Sequence, residues 1–339
     1  MTTTSTRSGA ARRGLAKYLA EPLTVGDPDI AGPLAVYPLF GTATKQQFVA
    51  LSQADGEVTI GEVASASVRD LAVTNTGKVP VLLYEGQELL GGQQNRSVDS
   101  AVLIAAGTKL SLPVTCVESG RWDHSSHRAA FSSSPHSPSP QLRKAKSREM
   151  NSRAAAGHEA RADQGEVWGL VDSISSRLRA SSRTRALSDT YDQRRKEIRK
   201  IERGIRLHDG QLGALATIGG ELCVLDFVGR PEVFAALHGP LVQGYALEVL
   251  GADADEAHTP SVEQARRWVG AALGAEGDQR PSLGLGADVR FIRNGVTGSA
   301  LVHEGELVHL TGFPVDGSTT PGSRSNPGSI RRPSRRRTS

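Results

Sequence analysis

Between Leu34 and Glu118 the chain runs through short apolar or alternating stretches, AVYPLF, VTIGEV, VRDLAVTN, VPVLLYE, SVDSAVLI and TKLSLPVTCVE, divided by Gly, Asn and Lys turns. Runs this short, with side chains alternating between two environments, bury a face as strands and not as helices. They predict a sheet-rich region of about six strands. KQQFVALSQADG, between the first two runs, is expected as one helix with Phe48 and Leu51 inward. Aromatic residues are only 4% of the 339, so the core must rest on Val, Leu, Ile and Ala.

The pattern changes at His124. SSHRAAFSSSPHSPSPQLRKAKS is too rich in Ser and Pro to pack and reads as a long loop or lid. Helical sequence follows. In SDTYDQRRKEIRKIERGIRL, Tyr191, Ile198, Ile201 and Ile205 fall on one stripe, and Arg and Lys crowd the other faces. That basic side is either solvated or used to bind phosphate. GALATIGGELCVLDFV predicts a hairpin around Gly219-Gly220, and SALVHEGELVHLTGF a second around Glu304-Gly305. The two share GELCVL and GELVHL, with YEGQELL a weaker third copy, as a duplicated strand-turn-strand unit or chance in Gly- and Leu-rich sequence would leave them. Between the hairpins, Pro231 opens a helix expected to be interrupted at Gly239-Pro240. Ser261 and Gln264 form a capping box before the stripe Val262, Ala265, Trp268, Val269, Ala272 and Leu273.

The fold class is therefore α+β, with a β-rich, sandwich-like N-terminal half, a long Ser/Pro/Arg-rich segment, and C-terminal hairpins packed with helices. Residues 1–32 read as a disordered tail with a short helix, and 33–316 as a single domain. Within it, 33–123 is the β-rich half, 124–165 a mobile segment and 166–316 the helix and hairpin half. Residues 317–339 form a disordered basic tail.

Net charge is +4, but the tails carry it. Residues 1–17 hold four basic residues and 317–339 six arginines, neither with an acid, which leaves the body at −6. A nucleic-acid-binding domain places its basic surface on the folded part, so only weak, salt-dependent polyanion contact through the tails is expected. Cys116 and Cys223 are far apart, which excludes a disulfide framework and a four-thiolate zinc site. The N-terminus lacks the apolar segment of a secretory signal, and no apolar run of about 18 residues is evident. A cytoplasmic location without membrane contact is expected, although the Arg- and Ser-rich lead also has the composition of a transit peptide.

No phosphate loop, GxGxxG, GxSxG or HExxH motif occurs, which excludes the easily read enzymes. What remains is polar clusters beside apolar runs. The first is Glu85, Glu88, Gln93, Gln94, Asn95 and Arg96; the second is Cys116, Glu118, Arg121, Trp122, Asp123 and His124. If their strands pair, both meet at one end of the sheet. Carboxylates for a water or cation, amides for base or ribose edges, arginine for phosphate and a Trp face for stacking suit a nucleotide-like or ADP-ribose-like ligand. Equally, Glu85-Gly86 is a turn dipeptide, Arg96 a strand end and Trp122 a gap filler. Cys116 reads as an inert strand residue more than a nucleophile. His124 and His127 could bind a metal with Asp123 or simply lie in solvent. Asp163, Gln164 and Glu166 fit the first turn of a helix, or an acid supplied by a lid.

YPLFG, VPVLLYEGQELLGGQQNR, LPVTCVESGRW, ADQGEVW, LSDTYDQRR, GGELCVLDFVGRPEVFAALHGPLVQGYALEVL and GSALVHEGELVHL, in this order, resemble the ARG-and-rhodanese-phosphatase-superfamily-associated protein domain family, first kind. The likeness runs from about Leu34 to Val315. It implies a role around NAD and ADP-ribose metabolism, beside ADP-ribosylglycohydrolases and rhodanese-phosphatase proteins. It assigns no activity and so transfers no catalytic role. Gln93 departs from the basic or small residue usual at its position. The reading is an accessory protein that binds, and in its fuller form hydrolyses, an ADP-ribose-type ligand. Glu85, Glu88 and Glu118 are the catalytic candidates; Gln94, Asn95, Arg96, Arg121, Trp122, Asp163 and Gln164 are the ligand-binding candidates. No metal site is assigned and the cofactor is unknown. The alternative is a non-enzymatic scaffold whose basic helix and tails contact a partner enzyme or nucleic acid.

Overall fold

The structure is a computed structural model, and it describes residues 13–63, 67, 69–123, 125, 129–252 and 258–315. After a 3-10 turn at Gly14–Tyr18, twelve strands follow in chain order. They are β1 (Thr24–Val25), β2 (Asp29–Ala31), β3 (Leu34–Phe40), β4 (Val49–Ala50), β5 (Val58–Glu62), β6 (Asp70–Asn75), β7 (Val81–Leu83), β8 (Glu88–Gly91), β9 (Arg96–Val98), β10 (Val102–Ile104), β11 (Thr108–Cys116) and β12 (Phe131–Ser133). Four helices come next: α1 (Pro140–Ala155), α2 (Gln164–Arg177), α3 (Leu187–Gln193) and α4 (Arg195–Glu202). The C-terminal third is β13 (Gly213–Ile218), β14 (Glu221–Val228), α5 (Pro231–Leu250), α6 (Val262–Leu273), β15 (Asp278–Pro281), β16 (Ala287–Arg293), β17 (Val296–His303) and β18 (Glu306–Pro314). The protein is α+β with a β-rich N-terminal half.

The alternating runs make a sandwich. A sheet in the order β10-β7-β4 faces one in the order β12-β8-β9-β11-β6-β5. Ile60, Leu71, Val73, Val81, Leu83, Val102, Ile104 and Leu112 fill the space between them. The third sheet, β1-β3-β13-β14-β18-β17-β16-β15 with β2 paired to β3, joins the first strands of the chain to the last. Residues 24–31, expected in a tail, thus belong to the fold, since β1 and β2 bond to β3.

Both hairpin turns form as expected. Gly219 and Gly220 have φ of 59° and 89°, and Glu304 and Gly305 have 48° and 76°. Two positive φ values in a two-residue turn match the twist of the flanking strands. The similar hairpins lie side by side. β14 pairs antiparallel with β18, and Asp226 stands opposite Thr311. These two residues occupy the same place in GELCVLD and GELVHLT, so the pairing relates the halves by a local two-fold axis between them.

Three further expectations are corrected. KQQFVALSQADG is not a helix: Val49 and Ala50 pair in parallel with Val81 and Leu82, and only Leu51–Gln53 turns, its Gln53 side chain accepting from the Ala50 N–H at 2.9 Å. Phe48 is buried all the same, held by the sheet and not by helical periodicity. α5 runs unbroken through Pro240. Eleven of its residues are buried against the large sheet and its neighbours, so packing outweighs the lost hydrogen bond. By length and composition α5 would reach across a bilayer, and it is the one such helix among the described residues.

The third correction concerns the Ser/Pro/Arg-rich segment, expected not to pack. From residue 129 to 165 it contains β12 and α1, and Ser134, His136, Ser137 and Ser139 are buried. α1 lies between the large sheet and the sandwich and turns Arg143, Lys146, Ser147 and Asn151 inward, all buried. Those side chains are positions i, i+3, i+4 and i+8, one face of a helix. Arg143 pairs with Asp226 at 3.0 and 2.5 Å and donates to Thr311 at 3.0 Å. Tyr245 donates to the same carboxylate at 2.7 Å. Lys146 meets Asp99 at 3.1 Å and donates to Ser97 Oγ at 2.8 Å. Arg143 thus sits on the two-fold axis of the hairpins. Gly86, with φ of 89°, passes so close that a Cβ there would lie 2.9 Å from Arg143 Cγ.

Candidate functional site

The pairing that the polar clusters required is present. β9 and β11 are antiparallel neighbours with Cys116 opposite Arg96, which brings both clusters to one sheet end. There they bond chiefly to each other. Arg121 reaches Glu118 at 2.9 and 2.8 Å, Gly92 O at 2.7 Å and Asn95 Oδ1 at 3.2 Å. Glu118 also accepts from the Asn95 N–H at 3.0 Å, and the Asn95 amide donates to Ser188 at 3.2 Å. Arg96 is fully buried; it donates to Gln94 O at 2.9 Å, lies 3.7 Å from Glu62 and stands 5.9 Å over the Trp122 ring. Gln164 spans Cys116 like one more rung of the sheet, donating to its carbonyl and accepting from its N–H, both at 2.9 Å. Asp163 caps α2 by accepting from the Glu166 N–H at 2.8 Å. Cys116 is buried, which pushes its thiol up to about 11 and leaves it un-ionised at neutral pH. His124 and His127 lie outside the described residues. Among those described, no three His, Cys, Asp or Glu side chains gather as metal ligands.

Glu85 and Glu88 part company. Glu85 is buried against the large sheet, accepting from Ser299 at 2.5 Å and Arg290 at 3.4 Å. Glu88, also buried, faces the opposite partner: its Oε2 lies 2.9 Å from His136 Nδ1 and 3.4 Å from Ser134 Oγ. The local cause is the pairing of β12 with β8, Ser133 opposite Leu89, extended by the Ser134 N–H donating to Glu88 O at 2.9 Å. Pro135 and Pro138 stiffen the chain on each side of His136. The Ser137 N–H donates to Pro240 O at 2.9 Å, and Tyr191 OH donates to Ser137 O at 2.6 Å, which fastens this loop to α5 and α3. The His136 ring stacks on Tyr191 with centroids 3.7 Å apart and planes 2° from parallel. Burial, then Glu88 and Glu248, hold the Tyr191 phenol well above its ordinary range, so it stays a neutral donor.

His136 and Tyr191 line a cavity of about 160 Å³ with Arg195 and Arg199 among its other walls. A carboxylate only accepts hydrogen bonds, so His136 donates to Glu88 from Nδ1. An imidazole with a buried carboxylate behind it, and the exposed Arg195 and Arg199 guanidinium groups at the opening, Arg195 paired there with Asp192, can hold an anion and move a proton beside it. Of these residues Glu88 was a candidate from sequence, and Arg195 and Arg199 lay on the basic helix side for which phosphate binding was one of two readings. His136 sat in SSSPHSPSP, where composition argued against packing; a histidine between two prolines was the single available signal.

The fold defines an α+β protein in which a β-sandwich and a long antiparallel sheet share one buried cationic helix. The chain belongs to the ARG and Rhodanese-Phosphatase-superfamily-associated Protein domain family, whose model matches residues 22–313. No curated protein matches it, and no solved structure does.

Proposed function

We propose that the protein is an accessory factor of NAD or ADP-ribose metabolism that binds an ADP-ribose-type ligand at the His136 cavity. The observation that carries this reading is the Glu88–His136 contact at 2.9 Å, opening onto a cavity rimmed by Arg195 and Arg199. Ligand pockets for whole drug-sized molecules are about 300–1,000 Å³. A cavity of about 160 Å³ therefore takes one end of such a ligand, a ribose-phosphate, and leaves the remainder outside. The guanidinium groups pair with phosphate oxygens, and the Tyr191-backed imidazole contacts the ribose. In the hydrolytic form of this reading, the His136 ring takes the proton of a water that attacks the anomeric carbon of a ribosyl ester, the bond from that carbon to the ester oxygen breaks, and the imidazolium, stabilised by Glu88, returns the proton to the departing oxygen.

Thermal unfolding of the full chain with ADP-ribose, NAD, AMP, ribose 5-phosphate and inorganic phosphate tests the ligand class. Saturation at about 100 times the dissociation constant stabilises by about 2.7 kcal/mol, which moves the midpoint of a domain this size by several degrees. ADP-ribose and ribose 5-phosphate are expected to shift it. A shift with none of the five removes the reading.

A further inference from the structure

We propose that the exposed basic surface running from the end of α2 through α4 is a docking surface for a single-stranded nucleic acid. Charge is divided very unevenly over the body. Residues 177–206 hold 11 basic and 4 acidic side chains, a net of +7, whereas the rest of 18–316 holds 19 basic and 32 acidic, a net of −13. A mildly acidic average thus conceals a strongly basic layer on an acidic body. α4 shows how that layer is presented. Ile198 is buried, and Lys196, Arg199 and Lys200, with Arg203 at the C-cap, fall at i, i+3, i+4 and i+7 on the side away from it.

Arg185, Arg194 and Arg195 are paired with Asp172, Glu197 and Asp192. Arg179, Arg183, Lys196, Arg199, Lys200 and Arg203 are exposed and form no ion pair among the described residues. Like charges gathered on one face repel one another, and a polyanion relieves that repulsion while releasing its counterions. Two concavities flank α4, about 220 Å³ beside Arg177, Arg179 and Arg194 and about 160 Å³ beside Arg195 and Arg199. Each has room for one unstacked ring. A flexible single strand can lay bases into such hollows; the rigid, closed cylinder of a duplex cannot.

Fluorescence anisotropy of a labelled 12-nucleotide single strand, as RNA and as DNA, with a 12-base-pair duplex beside it, reads this directly across 50–300 mM KCl. The full chain is used, so the basic termini are constant between variants. Arg179→Glu/Lys196→Glu/Lys200→Glu, all at exposed positions, is expected to weaken single-strand binding at least tenfold. It should also lower the magnitude of the salt slope by about 2, the value for three lost phosphate contacts. An unchanged affinity and slope would place the binding on the termini and overturn the proposal. Duplex bound more tightly than single strand overturns it too, as does competition by poly-glutamate equal to that of the oligonucleotide. The triple variant leaves ADP-ribose stabilisation as it is in the wild type, so failure here and failure of the cavity reading are separable.

Discussion

Arg143→Ala is expected to destabilise the protein by about 3–5 kcal/mol, because it leaves the Asp226 carboxylate buried without its counter-charge. The pair is 1% and 3% exposed, and burial pushes the Asp226 carboxyl up while Arg143, by charge and hydrogen bond, more than offsets this and holds it below its ordinary value. Removing both charges is a milder change than removing one. In Arg143→Met/Asp226→Leu, the Tyr245 and Thr311 hydroxyls lose an acceptor, at about 1 kcal/mol each, but no orphan charge remains. The double variant should therefore be more stable than Arg143→Ala. Urea unfolding of the three proteins decides it. A single variant within 1 kcal/mol of wild type would mean that water reaches the seam and screens the charge.

The second large effect is acid sensitivity set by His309. Its ring is buried, which pushes its pKa down to about 4; Asp226 and Glu85 partly oppose this, and Arg143 adds to it. The unfolded chain titrates near 6.5. Between these values the unfolded state binds a proton that the folded state refuses, so stability rises with pH across the window and is lost as pH falls from 6.5 toward 4. A difference of about 2.5 pH units corresponds to about 3 kcal/mol. Asp226, with its lowered pKa, adds a loss in the same direction further down, as pH falls below its ordinary carboxylate value. Urea unfolding at pH 7.5, 5.5 and 4.5 should show the decline in wild type and a flatter profile in His309→Leu. Equal slopes in both proteins would show that the ring titrates freely.

Local rules carried the sequence reading a long way. The strands and both hairpins were legible because each rests on nearest neighbours: alternation, Gly-Gly, Glu-Gly, a Ser261-Gln264 box. α1 was not, since periodicity is read from apolar residues and its inward face is Arg143, Lys146 and Asn151. What makes those positions buriable is Asp226, Asp99 and the carbonyl at Gly298, each remote in sequence. The Gln/Asn/Arg run that follows VPVLLYE was legible as a polar cluster, and its partner at 116–122 was found by assuming that the strands pair. Its saturation was not legible, because Arg121, Glu118 and Asn95 meet only through exact register. His136 depended on two such unseen facts at once, the pairing of β12 with β8 and the docking of α3. Even SDTYDQRRKEIRKIERGIRL, correctly amphipathic, divides at Arg194 into α3 and α4.

Under the proposed function, the Glu88–His136 cavity receives a phosphate-bearing ribose. Calorimetric titration of ADP-ribose into the full wild-type chain and into Arg195→Glu/Arg199→Glu addresses it most directly, since both arginines are exposed and the one ion pair lost, Arg195 with Asp192, is at the surface. The prediction is one-to-one binding by the wild type and a loss of about tenfold or more in the variant, equivalent to about 1.4 kcal/mol or more. Binding of equal strength in the two proteins, or none in the wild type, would contradict it.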